Sequence, residues 1–265
     1  MSQSPSIASR GYLGTPGALI HFRAGSPRRA GAQRLVCLHP TPFSSRFYAE
    51  FLRCVPALDA LATDTPGFGE SDPVDEVSIE ALAARIATGL ETFDSASDLL
   101  GFHTGSLLAI ELASRFPHLV RRLVLVDAPV LEPHERPATL ARTLSAYAIG
   151  RTRFEALVAR RVAADPFGDD REDARGLELL ADEIAGSAAA PAVFKAAFAY
   201  AAEKRLPGVA QPALCVATNG PLAAATRSVA SALPAGRLVE LPEVTAPVFQ
   251  AHAVAIAEAA RPFLE

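Results

Sequence analysis

The residues most suggestive of chemistry lie in one short stretch, Gly101-Phe102-His103-Thr104-Gly105. This stretch separates a strand-like run, Ser97–Leu100, from a helix-like run, Ser106–Phe116. Glycine on both sides predicts a tight turn from strand to helix, with His103 at its tip. An imidazole titrates near neutral pH, so His103 could act as a general base or, through an acyl-imidazole intermediate, as a nucleophile.

Either role for His103 would be helped by a carboxylate that orients the ring. Asp127 ends the strand expected beside the one that leads into His103, and Glu243 lies in the last loop before the final helix. We therefore predict a His103–Asp127 dyad, with Glu243 as a second acid that could approach the site. Both members of the dyad also have a plainer interpretation. His103 could fill space and hydrogen-bond a neighbour, and Asp127 could cap a turn at the strand end.

Strand-like and helix-like runs alternate along most of the chain. This alternation predicts an α/β fold around a mostly parallel central sheet with helices on both faces, preceded by a short hairpin of Tyr12–Leu13 and Leu19–Arg23. The other predicted elements are the strands Arg34–His39, Leu58–Asp64, Asp98–Leu100, Arg122–Asp127, Pro212–Thr218 and Arg237–Leu241, and the helices Arg46–Val55, Ile79–Phe93, Leu222–Leu233 and Val248–Arg261.

The alternation stops between residues 129 and 207, where the chain is Ala-rich and helical with a break at residues 165–168. We predict a helical lid here, inserted into a core of residues 11–128 and 208–265, and a flexible tail at residues 1–10. The aromatic residues of the lid are predicted to pack mainly within it; they are Tyr147, Phe154, Phe194, Phe198 and Tyr200.

Four stretches in order resemble landmarks of the α/β-hydrolase superfamily, and the resemblance covers the chain from about Arg34 to its end. His39-Pro40-Thr41-Pro42 is similar to the His-Gly-x-Pro loop after the first core strand, and residues 64–72 (DTPGFGESD) are close to Asp-x-Pro-Gly-x-Gly-x-Ser. Gly101–Gly105 resembles the nucleophile elbow Gly-x-Ser-x-Gly. The fourth landmark is Leu123–Asp127 before a helical insertion. The resemblance implies an α/β-hydrolase fold with an inserted helical lid.

The chain departs from the superfamily at all three positions of the triad, which follow the chain order nucleophile, acid, histidine. His103 replaces the serine, Gly220 stands where the acid is expected, and no histidine lies in Val244–Ala246. His252 comes several residues later, inside the predicted last helix. Since a serine triad needs its histidine base and its carboxylate, we expect no ordinary serine-hydrolase chemistry. Ser106 is expected to be a small core residue.

The resemblance also implies an oxyanion site made by two backbone N–H groups, here those of Thr41 and Thr104. Pro40 has no N–H, but the donor comes from the residue that follows it. His39 is expected to hold this loop rather than to react. The remaining histidines are expected at the surface or in the lid; they are His21, His118, His134 and His252.

The composition argues against several classes of function. The 265 residues are half apolar with a net charge of −4, so no basic field for nucleic acid is expected. The three cysteines lack metal-type spacing and are predicted to be reduced thiols, and we expect no metal and no cofactor. No run reaches the roughly 18 apolar residues of a membrane span, and no signal-peptide core follows the first residues, so a cytoplasmic chain is expected.

Two functions remain open from the sequence. The first is a cofactor-free enzyme that acts on a small, largely apolar ester or carbonyl compound under the lid, by hydrolysis, C–C cleavage, elimination or isomerisation. The second is a non-catalytic binder that kept the pocket, which the loss of the triad favours; a weaker third is a scaffold whose lid forms a homodimer. We prefer the enzyme, because an unpaired imidazole is costly to keep in a semi-buried pocket.

Overall fold

The computed structural model of the protein describes residues 9–25, 31–147 and 171–265, together with positions 155 and 159. Phe154 and the predicted break at residues 165–168 lie outside these ranges. The strands are β1 (Ser9–Leu13), β2 (Ile20–Ala24), β3 (Arg34–Leu38), β4 (Asp59–Thr63), β5 (Ser97–Phe102), β6 (Val120–Val126), β7 (Ala213–Thr218) and β8 (Gly236–Leu241). The helices are α1 (Ala49–Cys54), α2 (Ile79–Leu90), α3 (Thr104–Arg115), α4 (Arg136–Tyr147), α5 (Arg171–Gly186), α6 (Ala190–Ala199), α7 (Ala223–Ala232), α8 (Val248–Ala251) and α9 (Ala253–Leu264).

All eight strands form one sheet, in the order β1-β2-β4-β3-β5-β6-β7-β8. The pairs from β4 to β8 are parallel, whereas β2 is antiparallel to both of its neighbours, β1 and β4. The predicted hairpin and the predicted, mostly parallel sheet are therefore confirmed. Because parallel strands end at the same edge, the residues that follow β3, β5, β6 and β7 are brought together there.

Apolar cores cover both faces of this sheet, as predicted. Successive residues of β3 point to opposite faces: Leu35 and Cys37 pack with α1, α8 and α9, while Val36 and Leu38 pack with α2, α3 and α7. Full burial on both sides explains why the central strands are continuous apolar runs in the sequence.

Three predicted boundaries differ from the structure. The first strand begins at Ser9, so the last two residues of the predicted tail belong to the sheet. The helix predicted over residues 46–55 begins as a tighter 3₁₀ turn, Ser45–Tyr48, before α1. The predicted last helix is two helices, and His252 lies between them with φ −124° and ψ 24°, outside the helical range.

Between β6 and β7 the described residues form α4, α5, α6 and two short 3₁₀ turns, Ala202–Lys204 and Leu206–Gly208. This is the segment predicted to act as a lid. In the ranges that the structure covers, no helix combines the length and apolar character needed to cross a bilayer.

Candidate functional site

His103 occupies the turn between β5 and α3 in a conformation that few residues adopt. Its φ of 49° and ψ of −118° lie outside the regions favoured by residues with a side chain. The backbone is held there from both sides, since the His103 N–H donates to the Val126 carbonyl (3.3 Å) and its carbonyl accepts from the Ser106 N–H (2.9 Å). Such strain costs on the order of 1–3 kcal/mol and persists only where the surrounding structure enforces it.

The two glycines that flank His103 allow the close approaches that this turn requires. A Cβ atom on Gly101 would lie 2.4 Å from the Gly105 carbonyl oxygen, and one on Gly105 would lie 1.9 Å from the Leu38 carbonyl oxygen. Both distances are far below van der Waals contact. The glycine spacing is therefore a packing requirement of the strand–turn–helix unit and does not by itself indicate catalysis.

Gly105→Ala should lower the free energy of unfolding by about 3 kcal/mol, because the new methyl group meets the β3 backbone, which cannot move aside. Urea unfolding monitored by circular dichroism measures this. Gly208→Ala is the matched control, since a Cβ atom there meets no atom within 4 Å. Equal stability of the two variants would contradict the close approach.

The His103 ring is half-buried and stacks on the Phe102 ring, with centroids 3.9 Å apart. Within the described residues, neither ring nitrogen forms a hydrogen bond. Burial lowers the pKa of His103 to about 4. The imidazole is therefore neutral at physiological pH and keeps a nitrogen lone pair available, as a base or a nucleophile needs.

This depressed pKa links protein stability to pH. The unfolded chain has a histidine pKa of about 6.5 and so binds a proton between pH 6.5 and 4 while the folded protein does not; stability therefore falls as the pH is lowered through that window. We expect the wild type to lose about 2 kcal/mol more than His103→Gln between pH 7 and pH 4.5. Urea titrations of both proteins at the two pH values check this; equal losses would contradict a neutral His103.

No hydrogen bond joins Asp127 to the His103 ring among the described residues, so the His103–Asp127 dyad stays a prediction. The Asp127 carboxylate accepts two hydrogen bonds from Thr218, whose N–H donates to Oδ1 at 3.0 Å and whose hydroxyl donates to Oδ2 at 2.6 Å. Asp127 also has a positive φ of 44°, and it ties the ends of β6 and β7 together. Burial raises the pKa of Asp127, and the two bonds from Thr218 oppose that rise. The carboxylate nevertheless lines the same cavity as His103.

The last loop brings no acid or histidine to the site within the described residues. Glu243, predicted to approach, is exposed and lines neither cavity at His103, because its side chain points to solvent. Val244 is buried in the core where the superfamily's histidine is expected, and its carbonyl accepts from the Asn219 N–H at 2.8 Å. A Cβ atom on Gly220 would lie 3.9 Å from the Asp127 Oδ2 atom. Asp127 thus lies next to the position expected for the acid.

Thr41 and Thr104 line one cavity together with His103. Thr104 is the first residue of α3, so its N–H has no acceptor within the helix. The Thr41 N–H donates to no other atom in the described part of the chain. Two backbone donors are therefore free beside the imidazole, and the positive end of the α3 dipole points the same way.

His39 is buried and connects two loops. Its Nδ1 is 3.0 Å from the Pro40 carbonyl oxygen, and its Nε2 is 2.8 Å from the Thr65 N–H. Since an N–H can only donate, Nε2 is the acceptor and Nδ1 carries the proton. Burial lowers the pKa of His39, which keeps this neutral tautomer. The geometry suits a residue that holds the loop.

His21 differs from its predicted surface position. It is 1% exposed, because β2 lies inside the sheet, and its Nδ1 is 2.8 Å from the Asp64 Oδ2 atom. His21 and Asp64 are 43 residues apart in sequence, so no local pattern indicated the pair. Neither residue lines the cavities beside His103.

His103 lies at the boundary of two cavities. The first, of about 390 Å³, runs under α4 and α6 and is lined by Thr41, Thr104, Leu107, Arg142, Tyr147 and Phe194, among others. The second, of about 470 Å³, runs under α5 and is lined by Phe47, Phe102, Asp127, Leu179, Asn219 and Gln250, among others. A ligand that touches His103 can therefore extend to both sides of it.

Sequence reasoning missed the polar wall of the first cavity. Arg142 and Thr143 lie three and four positions after Thr139 on α4, and all three residues line the cavity. That helical spacing of polar residues was the available signal.

No described residue of either cavity offers a serine or cysteine nucleophile. Ser106 is fully buried and donates its hydroxyl to the Gly101 carbonyl at 2.9 Å, as a core residue would. Cys37 and Cys215 are buried in strands, and burial raises the pKa of Cys215 to about 12. His103, in contrast, lines both cavities.

Solved structures of other proteins are similar to this one over nearly the whole chain. The structure is similar to crystal structures of a hydrolase from Pseudomonas aeruginosa PA01 (TM-score 0.73, 19% identity, 96% of this chain and 98% of that one) and of a thermophilic esterase from Thermogutta terrifontis (TM-score 0.70, 18% identity, 97% and 98%). It is also similar to the enol-lactonase from Burkholderia xenovorans LB400 (TM-score 0.64, 21% identity, 96% of each chain).

Sequence comparison reaches less far. No family model matches the chain. The pyrrolizixenacetamide deacetylase of Xenorhabdus hominickii is 40% identical over 60 residues, which is 23% of this chain and 21% of that protein. The match thus spans about a fifth of the relative's length. Structural likeness over nearly the full length, together with the strand order and the strained turn before α3, establishes that this chain has the α/β-hydrolase fold.

Proposed function

We propose that this protein is a cofactor-free, hydrolase-like enzyme that acts on a small ester or another acyl compound, with His103 as base or nucleophile. One observation carries the proposal: a neutral imidazole without a hydrogen-bonding partner among the described residues lies between two cavities, on a strained turn beside two free backbone donors. Strain of this kind clusters at sites where a reactive group must be held in place.

The names of similar proteins support acyl chemistry. The structural neighbours are named a hydrolase, an esterase and an enol-lactonase, and the partial sequence relative is named a deacetylase. The names esterase, enol-lactonase and deacetylase each describe a reaction at a carbonyl group. The backbone donors of Thr41 and Thr104 suit that chemistry, because they can stabilise the negative charge that develops on a carbonyl oxygen.

As a nucleophile, a His103 nitrogen attacks the carbonyl carbon while the Thr41 and Thr104 N–H groups bind the oxygen. The bond to the leaving alkoxide breaks, the alkoxide takes up the proton that the other ring nitrogen releases, and the acyl group stays on the ring. Water then cleaves the acyl–nitrogen bond and releases a carboxylic acid and free imidazole. As a base, His103 takes a proton from water, and the resulting hydroxide attacks the same carbon; the bond to the alkoxide then breaks, and the alkoxide takes the proton back from His103. A pKa near 4 keeps the His103 ring neutral at neutral pH, so its nitrogen lone pair is available for either route.

The two cavities indicate the shape of the substrate. The first has an apolar wall, Leu107 and Phe194, and a polar wall that includes Arg142. The second is mostly apolar around Phe47 and Phe102. A compound with one apolar arm and one arm of mixed polarity, joined at the acyl group, fits this arrangement.

A combined turnover and labelling experiment tests the proposal. We expect wild-type protein to hydrolyse p-nitrophenyl acetate or butyrate while showing no label from a fluorophosphonate probe, which reacts with activated serines. Mass spectrometry after rapid acid quench should find the acyl group on the peptide that contains His103. Labelling of a serine would show that another nucleophile does the chemistry.

The non-catalytic binder is the second candidate, and one observation favours it. Within the described residues no carboxylate is hydrogen-bonded to the His103 ring, and the Asp127 carboxylate accepts from Thr218 instead. Two results together would show binding without catalysis. No acyl substrate would turn over, and a small ester or acid would raise the melting temperature of the wild type but not that of a cavity variant such as Phe194→Ala.

A further inference from the structure

We propose that Asp182, on α5, is a positioning residue that holds the Thr41 loop from outside the core. The proposal rests on the proposed function in one respect: it takes the Thr41 N–H to be a donor to the substrate carbonyl. Asp182 lies 138 residues from the loop residue that it contacts, in the segment predicted to be the lid.

The contact itself involves both oxygens of a buried carboxylate. Asp182 is 6% exposed, its Oδ2 accepts from the Ser44 hydroxyl, and its Oδ1 accepts from the Arg46 guanidinium at 3.3 Å. The Ser44 hydroxyl in turn accepts from the Arg46 N–H at 3.3 Å, which begins the 3₁₀ turn after the loop. The Asp182 carboxylate is the buried member of this group, so the loss of the Ser44 hydroxyl would leave one of its oxygens without that donor.

Backbone packing brings α5 against the same loop. A Cβ atom on Gly186, the last residue of α5, would lie 2.1 Å from the Pro42 carbonyl oxygen, so the helix end touches the loop backbone directly. Arg175, about three turns before Gly186 on α5, donates to the Arg46 carbonyl and pairs with Glu50 at 3.1 Å. Three positions along α5 thus fasten it to residues 42–50.

The core holds the other side of this loop. The His39 ring links Pro40 to Thr65, the Phe43 N–H donates to the Pro40 carbonyl at 3.0 Å, and the Ser45 N–H donates to Asp64 at 2.6 Å. Thr41 lies in sequence between Pro40, which the core holds, and Ser44, which Asp182 holds. Asp182 therefore fixes the α5 side of a loop whose backbone donor must be positioned to within a fraction of an ångström.

The consequence is that the donor site is complete only when α5 is docked. A helix from the segment between β6 and β7 then does two things: it roofs the second cavity through Leu179, and it fixes the Thr41 N–H beside His103. Substrate binding depends mainly on the cavity walls, whereas transition-state stabilisation depends on the donor. Loss of Asp182 should therefore lower kcat and leave KM nearly unchanged.

Hydrogen exchange on the full-length protein tests the support without any substrate. In Asp182→Ala, the bonded amides of Phe43 and Phe47 should exchange at least about 10-fold faster than in wild type, because local opening becomes easier. Ser44→Ala removes one hydroxyl from the same contact and should show the same acceleration. Glu178→Gln on the same helix, an exposed acid paired with Arg175, is the matched control and should leave both amides unchanged.

A double-mutant cycle completes the test. If p-nitrophenyl esters turn over, Asp182→Ala and Ser44→Ala should each lower kcat about 10-fold, and the double variant should be no worse than Asp182→Ala alone, because Asp182→Ala already removes the contact to Ser44. Unchanged exchange at Phe43 and Phe47, or losses in kcat that multiply in the double variant, would overturn the proposal. Absence of turnover in wild type would count against the enzyme, while the exchange rates would still decide whether Asp182 supports the loop.

Discussion

Replacing His103 by alanine is expected to lower kcat/KM for an acyl substrate by about 1,000-fold, the range typical of a lost base or nucleophile. The expectation follows from position: within the described residues of the two cavities, no serine or cysteine could replace the imidazole. Steady-state kinetics on p-nitrophenyl esters at pH 7.5 measures the loss. The pH profile of the wild type should be flat from about pH 5.5 to 8, because His103 has its pKa near 4 and stays neutral there.

Three further experiments separate a chemical role of His103 from a structural one. Free imidazole added to His103→Ala should restore part of the activity, since the truncated side chain leaves room for it in the cavity; a merely space-filling His103 gives no rescue. His103→Ser should be no more active than His103→Ala, because Val244 occupies the place of a histidine base. His118→Ala, at an exposed position far from both cavities, should keep full activity. Full turnover by His103→Ala would remove His103 from the mechanism.

The sheet and the turn at His103 were predictable because both depend on local patterns. Runs such as RLVCL in β3 must be buried on both faces, and only a tight turn accounts for glycine on both sides of His103. The parallel order of strands then brings Thr41, Thr104 and Asp127 to one edge without further information.

The hydrogen-bond partners at that edge could not be predicted, because they come from distant parts of the chain. Thr218, which occupies both Asp127 oxygens, is 91 residues away from it in sequence, and a threonine at a strand end carries no signal of this role. Glu243 lies in the predicted loop, but a shift of one residue changes which side chain points inward; Val244 is buried in the core and Glu243 is exposed. The periodicity of the sequence predicts which apolar residues are buried, whereas the pairing of polar side chains can be known only from the three-dimensional structure.

Asp64 is the centre of a second group of polar residues that are distant in sequence, and this group stabilises the folded protein. Its carboxylate is 1% exposed and accepts three hydrogen bonds: from the Ser45 N–H at 2.6 Å, from the His21 ring at 2.8 Å and from the Glu70 N–H at 2.9 Å. Burial alone raises the pKa of Asp64, but the bonds from His21 and Ser45, together with the nearby His39, outweigh burial and hold it well below its usual range. A carboxyl group with a depressed folded-state pKa stabilises the protein above its unfolded pKa of about 4, and the stabilisation is lost as the pH falls toward the folded-state value.

Asp64→Ala should therefore lower the free energy of unfolding at pH 7 by about 3–5 kcal/mol, since it leaves several buried donors without an acceptor. Asp64→Asn should lower the free energy of unfolding by less, because its amide oxygen can still accept from the Ser45 N–H. Some loss should remain, because its NH₂ group faces the Glu70 N–H and two donors cannot bond each other. Asp75→Asn, an exposed acid a few residues further along the chain, is the matched control and should change stability by less than about 0.5 kcal/mol. Urea unfolding of the four proteins measures the differences. A loss at Asp64 as small as that at Asp75 would mean that solvent, and not Asp64, satisfies these donors.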